Sequence, residues 1–225
     1  MVSVALMEPK TAGNIGAVAR CMKNFDLTNL ILVNPKCNHL SKEALDRASH
    51  AKDVLKKAKI MSFDQLIKNF DYVVGTSAIV GTDYNIPRSP LSPDKLKLPS
   101  KEVVILFGRD DSGLSNNEIL KCDFVVTIPT SKKYSSMNIS HSAGIIFYEL
   151  FKNSKNEKNS SHIVSASKKD KDVLLSLIYS SLDKLSFSTD KKRDTQKRVW
   201  KRLIGKAFLT RREIFALCGY FRKIR

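Results

Sequence analysis

Only four cysteines (Cys21, Cys37, Cys122 and Cys218) occur in the 225 residues, and no two of them form a CxxC pair. That scatter argues against a zinc site or a disulfide framework and fits a reduced, cytoplasmic protein without a metal. No apolar stretch approaches the roughly 18 residues that a membrane helix needs. The short run Val2 to Met7, followed at once by Glu8 and Pro9, is not expected to act as a signal peptide. Neither a GxGxxG fingerprint nor a P-loop Gly-Lys-Ser/Thr is present, which excludes the commonest dinucleotide and nucleoside-triphosphate sites. No internal repeat is visible. Acidic residues are scarce at one end. Residues 1–150 hold 15 Asp/Glu against 19 Lys/Arg, whereas residues 151–225 hold 7 against 20. A nearly balanced body joined to a basic tail suggests a catalytic domain with a polyanion-binding element. A tail present only for solubility is the plainer alternative. A membrane surface is a lesser one, because the tail has no long apolar stretch.

What is present is enough apolar residue, 42%, to bury a real core. Val2–Met7, Asn29–Val33, Tyr72–Thr76, Val103–Phe107 and Phe124–Ile128 read as short buried strands bounded by turn residues. Between them, three- and four-residue apolar spacing predicts helices over Gly13–Asn24, residues 41–57, Phe63–Asn69 and Ile139–Phe151. Ser115 is placed to cap a further short helix that runs to Leu120. Residues 79–100, with four of the seven prolines, read as a long loop. The alternation predicts an α/β domain with a mainly parallel sheet over residues 1–151. A polar linker over 152–167 and helical patterns near 168–185, 191–207 and 210–223 complete the chain.

Three segments carry loop chemistry at the end of a strand, the edge where open α/β sheets bind ligands. The first runs from Pro9 to Arg20 (PKTAGNIGAVAR). Gly13 and Gly16 at a strand-to-helix turn would let backbone approach a ligand, and Arg20 can fork onto a phosphate or ribose oxygen. A surface arginine on an amphipathic helix is the alternative there. The second, Leu106 to Leu114 (LFGRDDSGL), offers Gly108 as room for a flat ligand and Arg109 as a partner for a carboxylate, or else an ordinary strand-end turn. The third, Ile128 to Ser140 (IPTSKKYSSMNIS), sets hydroxyls, an amide and a thioether just before a helix. Capping by Asn138 or Ser140 accounts for one of these polar groups and not for the cluster.

The three segments in this order resemble the SPOUT class of methyltransferases, in particular the SpoU/TrmH-type RNA 2′-O-methyltransferases, with TrmJ-like tRNA enzymes the best fit. The resemblance covers residues 1–151, and Thr76-Ser77-Ala78 agrees with it. It implies a deep trefoil knot in the C-terminal part of the domain, which ordinary connection rules would not predict. It further implies S-adenosylmethionine as cofactor and a homodimer whose active sites are completed across the interface. It makes 2′-O-methylation at nucleotide 32 of the tRNA anticodon loop the expected reaction. Carried over by position, the cofactor contacts are Thr76, Ser77, Ala78, Gly108, Ile128, Ser135, Ser136 and Met137. Asn14, Arg20, Ser136 and Asn138 form the reacting end, with Arg20 the catalytic residue. The chain departs from the usual pattern at Asp110, Met137 and His141, where glutamate, leucine and glutamine are common.

The tail fits the same account. Arg20 and the cations Lys197, Arg198, Lys201, Arg202, Arg211 and Arg212 are candidate RNA contacts. Trp200, Phe208, Phe215 and Tyr220 serve either as a small helical core, the favoured reading, or as stacking surfaces. The rival readings are a 2′-O-methyltransferase for ribosomal RNA or another tRNA position, and a non-catalytic RNA-binding protein.

Overall fold

In the computed structural model, which describes residues 1–78, 90–96, 98–99, 101–131, 133–155 and 164–224, alternate residues of the central strands feed two different cores. Val4 and Leu6 of β1 (Val2–Met7) point to one face, and Ala5 and Met7 point to the other. Such strands are apolar throughout because both faces of a parallel sheet are covered. The remaining strands are β2 (Leu30–Val33), β3 (Lys59–Met61), β4 (Tyr72–Thr76), β5 (Val103–Phe107) and β6 (Phe124–Val126). All pair in parallel, in the order β3-β2-β1-β5-β4-β6. After β1 the chain builds outward to β2 and β3. It then crosses to the other side of β1, so β1 and β5 flank the switch point where α/β sheets open a ligand crevice.

One face is covered by α1 (Ala12–Asn24), α2 (Lys42–Ala48), α3 (Lys52–Lys56) and α6 (Ile139–Lys155). The other is covered by α4 (Phe63–Asn69) and α5 (Asn116–Lys121). Ser62 caps α4 and Ser115 caps α5, each in a reciprocal capping box.

The expected helix over 41–57 is broken. Ser49 adopts a left-handed φ of 52°, and a 3-10 turn over Ser49–Ala51 separates α2 from α3. Lys23 on α1 donates to the freed His50 carbonyl at 2.9 Å and to Asp53 at 2.7 Å, so the break is stitched to the neighbouring helix. Strand β3 escaped the sequence reading because it is three residues long and its first two side chains are exposed on the sheet edge. Most of the proline-rich stretch 79–100 and residues 156–163 of the linker lie outside the described residues.

The tail forms α7 (Lys168–Leu182), α8 (Asp190–Lys206) and α9 (Arg211–Lys223). Leu174, Ile178, Ile204, Ile214 and Phe221 give these helices a core of their own. They dock on the edge of the sheet domain. The Phe208 ring packs on Tyr72 and Phe124. At Gly205 an added Cβ would stand 2.7 Å from the Asp123 carbonyl oxygen, which is how closely α8 approaches β6. Among the described residues no helix is long and apolar enough to cross a membrane, and no cluster of His, Cys, Asp or Glu could hold a metal.

Candidate functional site

The loops leaving β4, β5 and β6 meet at the carboxyl edge of the sheet, and hydrogen bonds knit them together. The Ser77 amide donates to the Val126 carbonyl at 3.1 Å, and the Thr127 hydroxyl donates to the Ser77 carbonyl at 2.7 Å. The Thr76 hydroxyl donates to the Leu106 carbonyl at 3.2 Å. Enclosed between them is a cavity of about 300 Å³, at the small end of the range for small-molecule sites. Thr76, Ser77, Ala78, Gly108, Ile128, Ser135, Ser136 and Met137 all line it, so every residue expected to contact the cofactor falls on one cavity. Its walls suit the two halves of a nucleoside-bearing ligand. Leu114, Ile128 and Ile146 offer apolar surface to a flat ring, while Thr130, Ser135 and Ser136 bring hydroxyls. Asp110 and Asp111 also line the cavity, and the hydrogen bond from Lys10 at 2.6 Å holds the Asp111 carboxyl down at about 2 and balances its charge.

Of the residues expected at the reacting end, all but Ser136 lie outside this cavity. Asn14, near the start of α1, donates from Nδ2 to Asp110 Oδ1 at 2.9 Å, and its Oδ1 accepts from Asn138 Nδ2 at 3.3 Å. Asn138 Oδ1 in turn accepts from the Ser140 amide at 2.9 Å and so caps the first turn of α6. One amide therefore ties all three segments together. Asn14 and Asn138 face a second, smaller cleft of about 270 Å³, together with Glu43, Arg47, Ser140 and His141. Arg20 lines neither space. It is exposed on α1, and Ser136 alone of the four expected catalytic residues lies on the larger cavity.

The structure corrects the role given to the glycines. Gly16 faces α2 instead of a ligand: a Cβ there would lie 2.1 Å from the Ala44 carbonyl oxygen, so the close crossing of α1 and α2 needs it. Gly13 borders the smaller cleft, and a Cβ on it would meet the end of the Glu43 side chain, 2.5 Å from Oε1. Gly16→Ala should accordingly lower thermal stability. Overpacking costs about 1–3 kcal/mol, offset only in part by about 1 kcal/mol of helix propensity. Calorimetry should show a midpoint lowered by several degrees, and an unchanged midpoint would refute the packing role. Gly108 lines the cavity, yet its missing side chain is replaced by the loop itself, because a Cβ there would lie 2.3 Å from the Gly113 carbonyl carbon. Arg109 and Gly113 form the bridge that closes this turn. The Arg109 guanidinium is spent on structure. It makes two bonds to Glu118, at 2.8 and 3.0 Å, and one to Glu8 at 2.8 Å. Those bonds, Glu118's first, hold its pKa above the usual value.

The candidate RNA contacts divide. Arg198, Arg211 and Arg212 are exposed on the tail helices. Lys197 is half-buried and paired with Asp183 at 2.7 Å. Two of them turn inward. Lys201 donates to the Leu120 and Lys121 carbonyls at 2.8 and 3.1 Å, where it caps the C-terminal end of α5, and Arg202 is buried at 8% exposure. Both are docking residues of α8, and burial pulls the pKa of each down. The sequence reading also missed Thr127, Glu43 and Arg47. Thr127 looks like an ordinary strand threonine, and α2 shows no sign in the sequence that it borders the cleft.

A family model described as the SpoU rRNA Methylase family matches residues 1–148. A curated protein of Methanocaldococcus jannaschii, tRNA (cytidine-2′-O-)-methyltransferase TrmJ, is 38% identical over 228 residues, covering 99% of this chain and 99% of that one. Among solved structures, TrmJ from Z. mobilis ZM4 superposes with a TM-score of 0.68 at 24% identity, covering 99% of this chain and 98% of that one. An AdoMet-bound rRNA methyltransferase from Sinorhizobium meliloti shares the fold at a TM-score of 0.56 and 22% identity, over 66% of this chain and 54% of that one.

Proposed function

The chain belongs to the SpoU rRNA Methylase family, and from that premise we propose that it is an S-adenosylmethionine-dependent tRNA 2′-O-methyltransferase acting at nucleotide 32 of the anticodon loop. The observation that carries the reading is the convergence of all eight expected cofactor residues on one cavity at the carboxyl edge of the sheet. The choice of tRNA over ribosomal RNA is supported by the M. jannaschii relative, whose likeness runs through the basic tail as well as the domain.

S-adenosylmethionine, when held by the residues of the larger cavity, would supply an electrophilic methyl group for a ribose 2′-hydroxyl, whose proton would pass to water as the sulfonium became a neutral thioether. Asn14, fixed between Asp110 and Asn138, orients the reacting sugar, and positioning of this kind supplies several kcal/mol of the barrier. Arg20 clamps the nucleotide phosphate and stabilises charge developing on the 2′-oxygen. It does so as a cation, since a guanidinium keeps its proton in proteins. Because Arg20 lines neither space in its own protomer, we assign it to the site of a second copy. Ile145 and Tyr148 stand 38% and 52% exposed on α6, beside α1, and form the apolar strip such a homodimer would cover. The mutual stitching of the loops after β4 and β6 supports a knotted arrangement of this half of the domain. The helices α7 to α9 form the RNA-binding extension, and the enzyme works in the cytoplasm.

Incubation with S-adenosylmethionine carrying a radiolabelled methyl group and with bulk tRNA, followed by mapping of the modified ribose, tests the reading. The expected result is a 2′-O-methyl mark at nucleotide 32. Transfer to ribosomal RNA alone, or to another tRNA nucleotide, would overturn the target, and absence of cofactor binding would overturn the enzyme.

A further inference from the structure

Trp200, Phe208, Phe215 and Tyr220 do not share one fate. Trp200 packs edge-on against Phe221 with ring centroids 5.6 Å apart, and Phe208 is wedged against Tyr72 and Phe124. Phe215 and Tyr220 stand 57% and 59% exposed on α9, although the Tyr220 ring also meets Phe221 edge-on with centroids 5.3 Å apart. They border the outward face of that helix. Its inward face is taken by Ile214, Cys218 and Phe221, and the strip between the two exposed rings is Ala216 and Gly219. Nothing lies within 4 Å of where a Gly219 side chain would begin, so the strip is open. Cations outnumber carboxylates around it, with Asp170 3.9 Å from Arg211 and Glu213 in the first turn as the acidic neighbours. Arg212, Arg222 and Lys223 are exposed on the same helix, and the Arg211 guanidinium lies 5.3 Å from the Phe215 ring centroid. The one acidic residue of α9, Glu213, is turned back into the capping box with Thr210.

Two aromatic faces with a shallow floor between them and cations around them have the composition that binds unpaired nucleotides, bases on rings and phosphates on cations. A duplex would use the cations and leave the rings idle. A second protein copy would bring this chain's own positive charge against them. We propose that the outward face of α9 is a stacking platform for unpaired nucleotides of the RNA substrate, with Phe215 and Tyr220 holding bases while Arg212 holds the backbone. This rests on the reading of the chain as an RNA-modifying enzyme and specifies which part of the RNA the extension grips.

The test is fluorescence anisotropy with the full-length protein, a labelled tRNA transcript and a labelled RNA duplex of equal length, over a range of salt. Wild-type protein should prefer the transcript. Phe215→Ala and Tyr220→Ala should each weaken transcript binding about tenfold with an unchanged salt slope, leave duplex binding as it was, and keep the wild-type circular dichroism melt. Phe215→Trp should restore affinity. Arg212→Gln should reduce the salt slope by about 1. Unchanged transcript affinity in both alanine variants would overturn the platform while leaving the enzyme reading intact. A fall in sedimentation mass in those variants would overturn it too, by making the face a contact between copies. Failure of the wild-type protein to bind any tRNA would instead sink the reading on which the platform rests.

Discussion

Arg20→Ala should cut methyl transfer by about 10²–10³-fold, the usual cost of removing one preorganised charge donor, and leave cofactor affinity unchanged. The structure separates the two effects. The Arg20 side chain is exposed, lies outside the cavity lined by all eight residues proposed to hold the cofactor, and makes no hydrogen bond or ion pair among the described residues. Removing an exposed side chain of this kind changes stability by less than about 0.5 kcal/mol, so lost activity would not be lost folding. Arg20→Lys should recover only part of the rate, since an ammonium cannot grip phosphate in a two-pronged fork. Mixing decides where the arginine acts. An Ala78→Trp variant, whose indole fills the cavity, is inactive for a different reason. Randomly paired with Arg20→Ala protomers, it yields mixed dimers with one complete site each and restores roughly a quarter of the wild-type rate if the arginine crosses the two-fold interface. No restoration would place Arg20 in its own protomer's site. Full activity of Arg20→Ala alone would remove it from the chemistry.

Strands and most helices were legible because their signals are local. Val103–Phe107 is buried at every position, and the capping boxes at Ser62 and Ser115 begin short helices where their residue types predict. The cavity was legible for a different reason. Its lining residues follow from the resemblance to the SpoU/TrmH-type methyltransferases, carried over by position, while residue chemistry alone marked only the loop segments at the strand ends. Long-range packing was not. Gly16 looks like a ligand-facing glycine until α2 is seen crossing it, and Arg202 looks like a phosphate contact until α8 is seen lying on β6. The break at Ser49 leaves no mark in the apolar spacing, because Ala48, Ala51, Val54 and Leu55 remain buried on both sides of it. Charge counting found the basic tail correctly and overstated how much of it meets RNA. Some of those cations are spent in holding the tail to the domain.

Lys171 is the largest such expenditure, and Lys171→Met should release the extension from the sheet domain. The ammonium is 3% exposed. It donates to the Asp71 carbonyl at 2.6 Å and to Asp123 Oδ1 at 2.7 Å, and it sits 3.4 Å from the centroid of the Tyr72 ring. Asp123 holds the Val73 amide with its other oxygen at 2.8 Å, so the pin reaches β4, whose far end lines the cavity. Burial pulls the Lys171 pKa down and Asp123 opposes that pull. Methionine preserves the length of the stem and removes the charge, leaving Asp123 without its counter-ion. Breaking one side of a buried pair costs about 3–5 kcal/mol, whereas replacing both sides is often neutral. Trp200, the chain's one tryptophan, lies in α8 and reports on the extension alone, while circular dichroism reports on the whole chain. In urea the tryptophan transition of Lys171→Met should move to lower concentration and separate from the circular dichroism transition. The double variant Lys171→Met/Asp123→Asn should bring the two together again. Cofactor affinity should hold and tRNA affinity fall, because a loosened extension no longer presents α9 at a fixed distance from the site. Coincident, unshifted transitions in Lys171→Met would mean that apolar contacts around Phe208 hold the extension without the buried charge.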